Sequence, residues 1–232
     1  MSIELLNTDC MLYMAGLPDK AFDLAIVDPP YGNNLSGGRS AKNGWNPNID
    51  WDKCNKGWNI AIPKQDYFDE LLRVSKNAIC WGGNYFANML PNSECWIVWD
   101  KGQRDFSLAD GELAWGSFDK ALRIKTLFRA VANQETKIHP TQKPVKLYEW
   151  LLTNYAKHGQ RILDTHLGSG SSAIAAHNMG LDFVGMELDA DYYAAACKRF
   201  EQHKAQGSLF VPDTPRDAYE QTDLLYRSEH GA

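Results

Sequence analysis

Short apolar runs alternate along the chain with longer stretches of helical periodicity, a pattern that predicts an α/β fold. The run Leu24-Ala25-Ile26-Val27 ends abruptly in Asp28-Pro29-Pro30-Tyr31, as a strand buried in a sheet would if it delivered a carboxylate to the sheet's edge. Further strands are expected at Ile3 to Asp9, Ala78 to Trp81, Cys95 to Trp99, the run starting Arg161-Ile162-Leu163-Asp164, and Phe183 to Glu187. Helices are expected at Asp66 to Lys76, Tyr85 to Leu90, Val145 to Lys157 and Ala190 to Ala205. Leu147, Leu151 and Tyr155 share one face of the third of these, and Tyr193, Cys197 and Phe200 one face of the last. Period-two alternation over Glu112 to Phe118 and Ile124 to Phe128 predicts a hairpin or two added strands. The polar segment 32–63 is too long for a simple connection, so it reads as a lid, or as a loop that Trp45, Trp51 and Trp58 anchor to the core.

Two places carry candidate chemistry. Proline has no N–H, so Pro29 and Pro30 cannot extend a strand ladder. The Asp28 carboxylate and the Pro29 carbonyl are then left as two acceptors beside the Tyr31 ring, a set suited to gripping a planar amine, although a rigid turn would also use Asp-Pro-Pro. Much later, Asp164-Thr165-His166-Leu167-Gly168-Ser169-Gly170-Ser171 joins a strand to a helix through a Gly-rich turn. Gly168 and Gly170 let the backbone approach a ligand closely, and the helix beginning near Ser171 aims N–H groups at it. The next strand ends in Glu187, placed to accept from ribose hydroxyls.

Together these segments resemble the S-adenosylmethionine-dependent DNA aminomethyltransferases, which methylate adenine N6 or cytosine N4. Asp-Pro-Pro-Tyr precedes the Gly-rich turn, the permuted order of the family's β class. His139-Pro140-Thr141-Gln142-Lys143-Pro144 and Asn7-Thr8-Asp9-Cys10 match further motifs of that class, and the likeness extends to Phe200. The resemblance implies a Rossmann-like, doubly wound mixed sheet with circularly permuted motif order. It implies a single methyltransferase domain over residues 1–232, a mobile loop at 32–63, a short inserted target-recognition segment at 101–138 and a polar tail at 207–232. It also implies S-adenosylmethionine as cofactor and a base flipped out of double-stranded DNA as substrate. Asp28, Pro29, Pro30 and Tyr31 are then catalytic, with Tyr31 stacking on the base. Asp9, Cys10, Asp28, Lys143, Asp164, His166, Gly168, Ser169, Gly170 and Glu187 bind the cofactor, and Arg39, Lys42, Lys101, Arg104, Arg123 and Lys125 meet DNA. Thr165 and His166 depart from the family's usual Pro-Phe, and Thr8 from its glycine, which points to an altered pocket. Asp at position 28 favours adenine, since cytosine-N4 enzymes often carry Ser there. Cytosine-N4, RNA or protein methylation, or cofactor binding without turnover, are the competing readings.

Charge complicates the picture without overturning it. The net charge of −5 disfavours duplex binding, yet from Lys101 to Lys146 nine Lys and Arg face five acids. Any DNA-binding face is therefore expected in the middle of the chain. The five cysteines form no C-x-x-C pair, so neither a metal site nor a disulfide framework is expected, and the reducing cytoplasm is the expected location. No leader or membrane span is read in the sequence. A homodimer and a cognate restriction endonuclease are left open as partners.

Overall fold

The computed structural model describes residues 1–32, 62–104, 109–128, 135, 137–139 and 141–207. The expected lid with Arg39, Lys42 and its three tryptophans, and the tail beyond 207, lie outside the described residues. In chain order the elements are β1 (Ile3–Asn7), α1 (Cys10–Ala15), β2 (Phe22–Val27), α2 (Gln65–Val74), β3 (Ser75–Trp81), β4 (Trp96–Asp100), β5 (Gly111–Gly116) and β6 (Arg123–Thr126). They continue as α3 (Val145–Tyr155), β7 (Arg161–Asp164), α4 (Ser171–Asn178), β8 (Asp182–Glu187) and α5 (Ala190–Gly207).

The strands form one sheet in the order β1-β8-β7-β2-β3-β5-β4-β6. Every pairing is parallel except those of β5, which runs antiparallel between β3 and β4. This is the expected doubly wound mixed sheet. Period-two alternation divides its side chains between two cores. Leu24, Ile26, Ile79, Trp81, Ile162 and Phe183 face α3 and α4 with Leu147, Leu151 and Ala173. Ala25, Val27, Ala78, Cys80, Leu163, Val184 and Met186 face α1 and α2 with Met14, Phe68 and Leu71. Burial on both faces is why β2 reads as an unbroken apolar run. Winding reverses between β7 and β2, where neighbouring strands lead their helices away in opposite directions, so the ends of these two strands open a crevice.

The structure differs from the sequence reading in three elements. The first strand stops at Asn7, because Asp9 leaves the extended course to cap α1, its Oδ1 accepting from the Met11 amide at 2.7 Å. The helix expected at Tyr85 to Leu90 is a 3-10 turn over Gly83–Tyr85, entered through Gly82 at φ 70°. A Cβ at Gly82 would collide with the Tyr31 ring, so glycine serves both the turn and that ring. The two alternating runs are the second of the expected alternatives, two added strands: the interior antiparallel strand β5 and the edge strand β6, which pairs parallel with β4. In α5 the buried stripe is Tyr192, Ala196 and Phe200, while Tyr193 and Cys197 are half-buried and the Tyr193 hydroxyl donates to the Leu5 carbonyl at 3.2 Å. The expected face of α3, Leu147, Leu151 and Tyr155, is buried. No helix among the described residues is long and apolar enough to cross a membrane.

Helix α2 is held by its buried positions Tyr67, Phe68, Leu71 and Val74, spaced i, i+1, i+4 and i+7. Phe68 is fully buried and packs against Phe86 at 5.2 Å between ring centroids. Truncation of Phe68 to Ala is expected to lower stability by about 3–5 kcal/mol, read as a lower urea midpoint with unchanged slope.

Candidate active site

Strand β2 ends at Val27, and the buried Pro29 turns the chain so that Asp28 stands at the crevice. Both oxygens of Asp28 are engaged. The Tyr31 hydroxyl donates to Oδ1 at 2.5 Å, and the Lys143 ammonium donates to Oδ2 at 2.5 Å. Lys143 is 3% exposed and reaches a second carboxylate, Glu112, at 3.2 Å. Its Nζ also lies 5.1 Å from the centre of the Trp81 ring. Lys101 closes the chain of charges by donating to Glu112 Oε1 at 2.6 Å. The antiparallel sense of β5 makes this possible, because it brings that strand's N-terminal end, with Glu112, to the edge where the parallel strands finish. Burial pushes the Lys143 ammonium down, but the Asp28 and Glu112 carboxylates more than offset it and hold it above its usual range. Burial likewise penalises the Glu112 carboxylate, yet Lys143 and Lys101 prevail and bring its pKa to about 2.

Across the crevice, Asp164 ends β7 beneath the Gly-rich turn. Its Oδ1 accepts from the His166 amide at 2.9 Å and its Oδ2 from the Ser172 hydroxyl at 2.5 Å, so it pins the turn to α4. Gly168 and Gly170 take positive φ of 52° and 73°. Glu187, at the end of β8, accepts from the Gly168 amide through Oε2 and from the Asp189 amide through Oε1, each at 2.9 Å. Each of its oxygens keeps a further lone pair for a hydroxyl of a ligand. Arg199 of α5 donates to the Ser169 carbonyl at 2.8 Å. Burial pushes the imidazoles of His166 and His139 to about 4, with Lys143 adding to the effect on His139, so both rings are neutral near pH 7.

One pocket joins Asp28, Pro30 and Lys143 to His166, Gly168, Ser169 and Glu187, so these sequence candidates come together. Tyr31 belongs to the same network through Asp28, and its ring already stacks on Tyr85 at 4.9 Å and 15°. Asp164 and Gly170 support the turn from below and are not part of the lining. Asp9 and Cys10 lie at the start of α1, outside the lining, with Asp9 committed to its cap and burial raising the Cys10 thiol to about 12. The expected DNA contacts divide. Lys101 turns inward to Glu112 and Arg104 pairs with Asp100 at 2.9 Å, whereas Arg123 and Lys125 stand on the edge strand β6. Sequence reading missed Glu112, His139, Thr141, Tyr148 and Tyr192 as site residues. His139 and Thr141 had a signal, since they share a motif with Lys143, but Glu112 had none. No cluster of His, Cys, Asp and Glu that could hold a metal ion occurs among the described residues, and Cys10, Cys80, Cys95 and Cys197 are free thiols.

Burial raises the Asp164 carboxyl to about 7, against about 3.9 for an ordinary aspartate. Between those values the native state holds a proton that the unfolded state has lost. The contribution of this group to stability is therefore fully present below pH 4 and declines as pH rises toward 7. Relative to Asp164→Asn, the wild type should lose ground over that window and run parallel to it above. Urea titrations of both proteins from pH 4 to 8 measure this.

The comparisons fit this geometry. Residues 93–198 match the family model described as DNA methylase. The Type II methyltransferase M2.DpnII of Streptococcus pneumoniae is 25% identical over 85% of this chain and 89% of its own length. The Type II methyltransferase M.HinfI of Haemophilus influenzae is 24% identical over 86% of this chain and 68% of its own. Among solved structures, the complex of M1.HpyAVI with S-adenosylmethionine superposes with a TM-score of 0.57 at 19% identity, over 85% of this chain and 99% of that one. The PvuII cytosine-N4-specific DNA methyltransferase does so with 0.58 at 12% identity, over 100% and 94%. With the acidic Pro-Pro-Tyr corner and the Gly-rich turn facing one crevice, the chain is similar to N6/N4 DNA methylases, by the family model over residues 93–198 and by relatives at about a quarter identity over most of its length.

Proposed function

We propose that the protein transfers a methyl group from S-adenosylmethionine to the N6 amine of an adenine flipped out of double-stranded DNA. The observation that carries this reading is the placement of Asp28, held by Lys143 and Tyr31, in one pocket with the Gly-rich turn and Glu187. The pocket suits the cofactor. Gly168 and Gly170 at positive φ let the backbone of the turn approach a ligand, α4 begins directly behind it, and Glu187 offers spare lone pairs for the ribose. Gly168, Ser169, His166 and Glu187 would hold the cofactor, which when bound supplies an electrophilic methyl group on a sulfonium sulfur.

The chain's own residues supply the positioning. Asp28 and the Pro29 carbonyl accept the two hydrogens of the exocyclic amine and turn its lone pair toward the methyl group. These bonds strengthen as positive charge grows on the nitrogen, which is the differential binding that catalysis needs. Taking Asp28 Oδ2 for the amine displaces Lys143, and Glu112 then keeps the ammonium paired inside the protein. The neutral His139 and His166 add no cation to a pocket that receives a sulfonium. Tyr31 stacks on the flipped base, and Arg123 and Lys125 are the described cations on a surface edge available to phosphates. Asp at position 28 favours adenine over cytosine.

Methylation of mixed-sequence DNA with labelled S-adenosylmethionine, followed by nucleoside mass spectrometry, tests the reading. N6-methyladenine is expected, absent with Asp28→Ala although that variant still binds the cofactor. N4-methylcytosine would move the substrate and keep the mechanism. Absence of label in DNA despite cofactor binding would refute DNA methylation. Glu112→Gln is expected to lower kcat by about tenfold, near 1.4 kcal/mol of barrier, with cofactor affinity unchanged in calorimetry.

A further inference from the structure

The residues that set this turn apart, Thr165 and His166, form a hydrogen-bonded chain with Tyr67 of α2. The Tyr67 hydroxyl lies 2.6 Å from Thr165 Oγ1, which lies 2.9 Å from His166 Nδ1, and Tyr67 is also 3.4 Å from that nitrogen. Tyr67 and Thr165 are buried, so each hydroxyl hydrogen needs an acceptor. Two proton orders are conceivable. If Nδ1 carried the ring proton and donated to Thr165, Thr165 would donate to Tyr67, and the phenol hydrogen would have no acceptor among the described residues. The reverse order, Tyr67 to Thr165 to Nδ1, satisfies every group. It also fixes the tautomer, because a neutral ring that accepts at Nδ1 carries its proton on Nε2. Nε2 has no partner among the described residues and is not among the sealed, unpartnered polar atoms, while the ring lines the pocket with Gly168 and Glu187. Burial keeps the ring neutral well below pH 7, so the tautomer persists under working conditions.

We propose that His166 is a specificity-determining residue of the cofactor pocket, its Nε2–H donating a hydrogen bond to an acceptor on S-adenosylmethionine where a phenylalanine would present only a ring. This rests on the reading of the pocket as the cofactor site. Thr165 and Tyr67 are positioning residues that hold the donor in that state.

Two measurements test it. Long-range proton–nitrogen spectra of the ligand-free protein at pH 7 should show His166 protonated on Nε2, and an Nδ1-protonated ring would overturn the proposal. In calorimetric titrations with S-adenosylmethionine, His166→Phe should bind about tenfold more weakly, and His166→Gln, which returns an N–H at similar reach, should recover most of the loss. Unchanged affinity in His166→Phe beside a wild type that binds would overturn this proposal alone. A wild type that does not bind would overturn it together with the site reading. Titration with 5′-methylthioadenosine locates the acceptor. A His166→Phe deficit that persists places it on the adenosine half, and one that disappears places it on the carboxylate-bearing half, and either supports the proposal.

Discussion

An ammonium group buried at the edge of a sheet destabilises a fold unless anions meet it there, and Lys143 meets two. Asp28 arrives from the end of β2, Glu112 from the start of β5, and Lys143 itself from the segment that precedes α3. Three parts of the chain far apart in sequence are thus fixed against one charge. Lys101 adds the second cation, which leaves two lysines balancing two carboxylates. Removing any member strands a partner in low dielectric, so the site and the local fold are held by the same interactions.

Topology explains why these groups meet. Parallel strands all finish at one edge, and the reversal of winding between β7 and β2 opens that edge into a crevice. An antiparallel strand inserted in such a sheet presents its beginning at the edge where its neighbours end. Glu112 therefore works beside the ends of β2 and β3 although it starts its own strand. Gly82, Gly168 and Gly170 then admit positive φ that a side chain would strain, and at Gly82 a side chain would also collide with the Tyr31 ring; Gly168 lines the pocket and Gly170 supports the turn behind it.

What the sequence disclosed follows from how local each signal is. An apolar run stopped by Asp-Pro-Pro, or a strand followed by Gly-Ser-Gly and a small-residue helix, is complete within about ten residues, so β2, β7 and α4 and their site residues were legible. The order of strands in the sheet is not local. Glu112 sits in an alternating run whose pairing partners, β3 and β4, are named by nothing in that run, and so it was missed. Asp9 was read through its motif, whereas Asn7-Thr8-Asp9 before a short apolar helix is also an N-cap signal, and the cap is what the structure displays. Lys101 was counted as a surface cation because charge counts carry no direction, and the strand geometry turns it inward. In α5, Phe200 is buried as expected, but Tyr193 and Cys197 are one position off the buried stripe of Tyr192 and Ala196, an offset of about 100° that apolar spacing alone did not fix.

The two halves of the site also share fastenings. Arg199 donates to the Ser169 carbonyl and the Ser171 hydroxyl on the Gly-rich turn and, with its other nitrogen, to Glu135 at 2.7 Å. Glu135 in turn accepts from the Val145 amide at the first residue of α3. His139 and Lys143 lie between Glu135 and Val145, so the stretch that delivers the buried ammonium to Asp28 is tied at its far end to the turn on the opposite wall. The His139 ring lies against Gly168, within 3.7 Å of where a side chain there would begin, and meets Tyr192 edge-on at 4.4 Å. The two walls of the crevice are thus joined by packed rings and by the Arg199 clasp. Fastening the two walls to each other in this way is how a fold with its charges at one edge holds Asp28 and the Gly-rich turn in register.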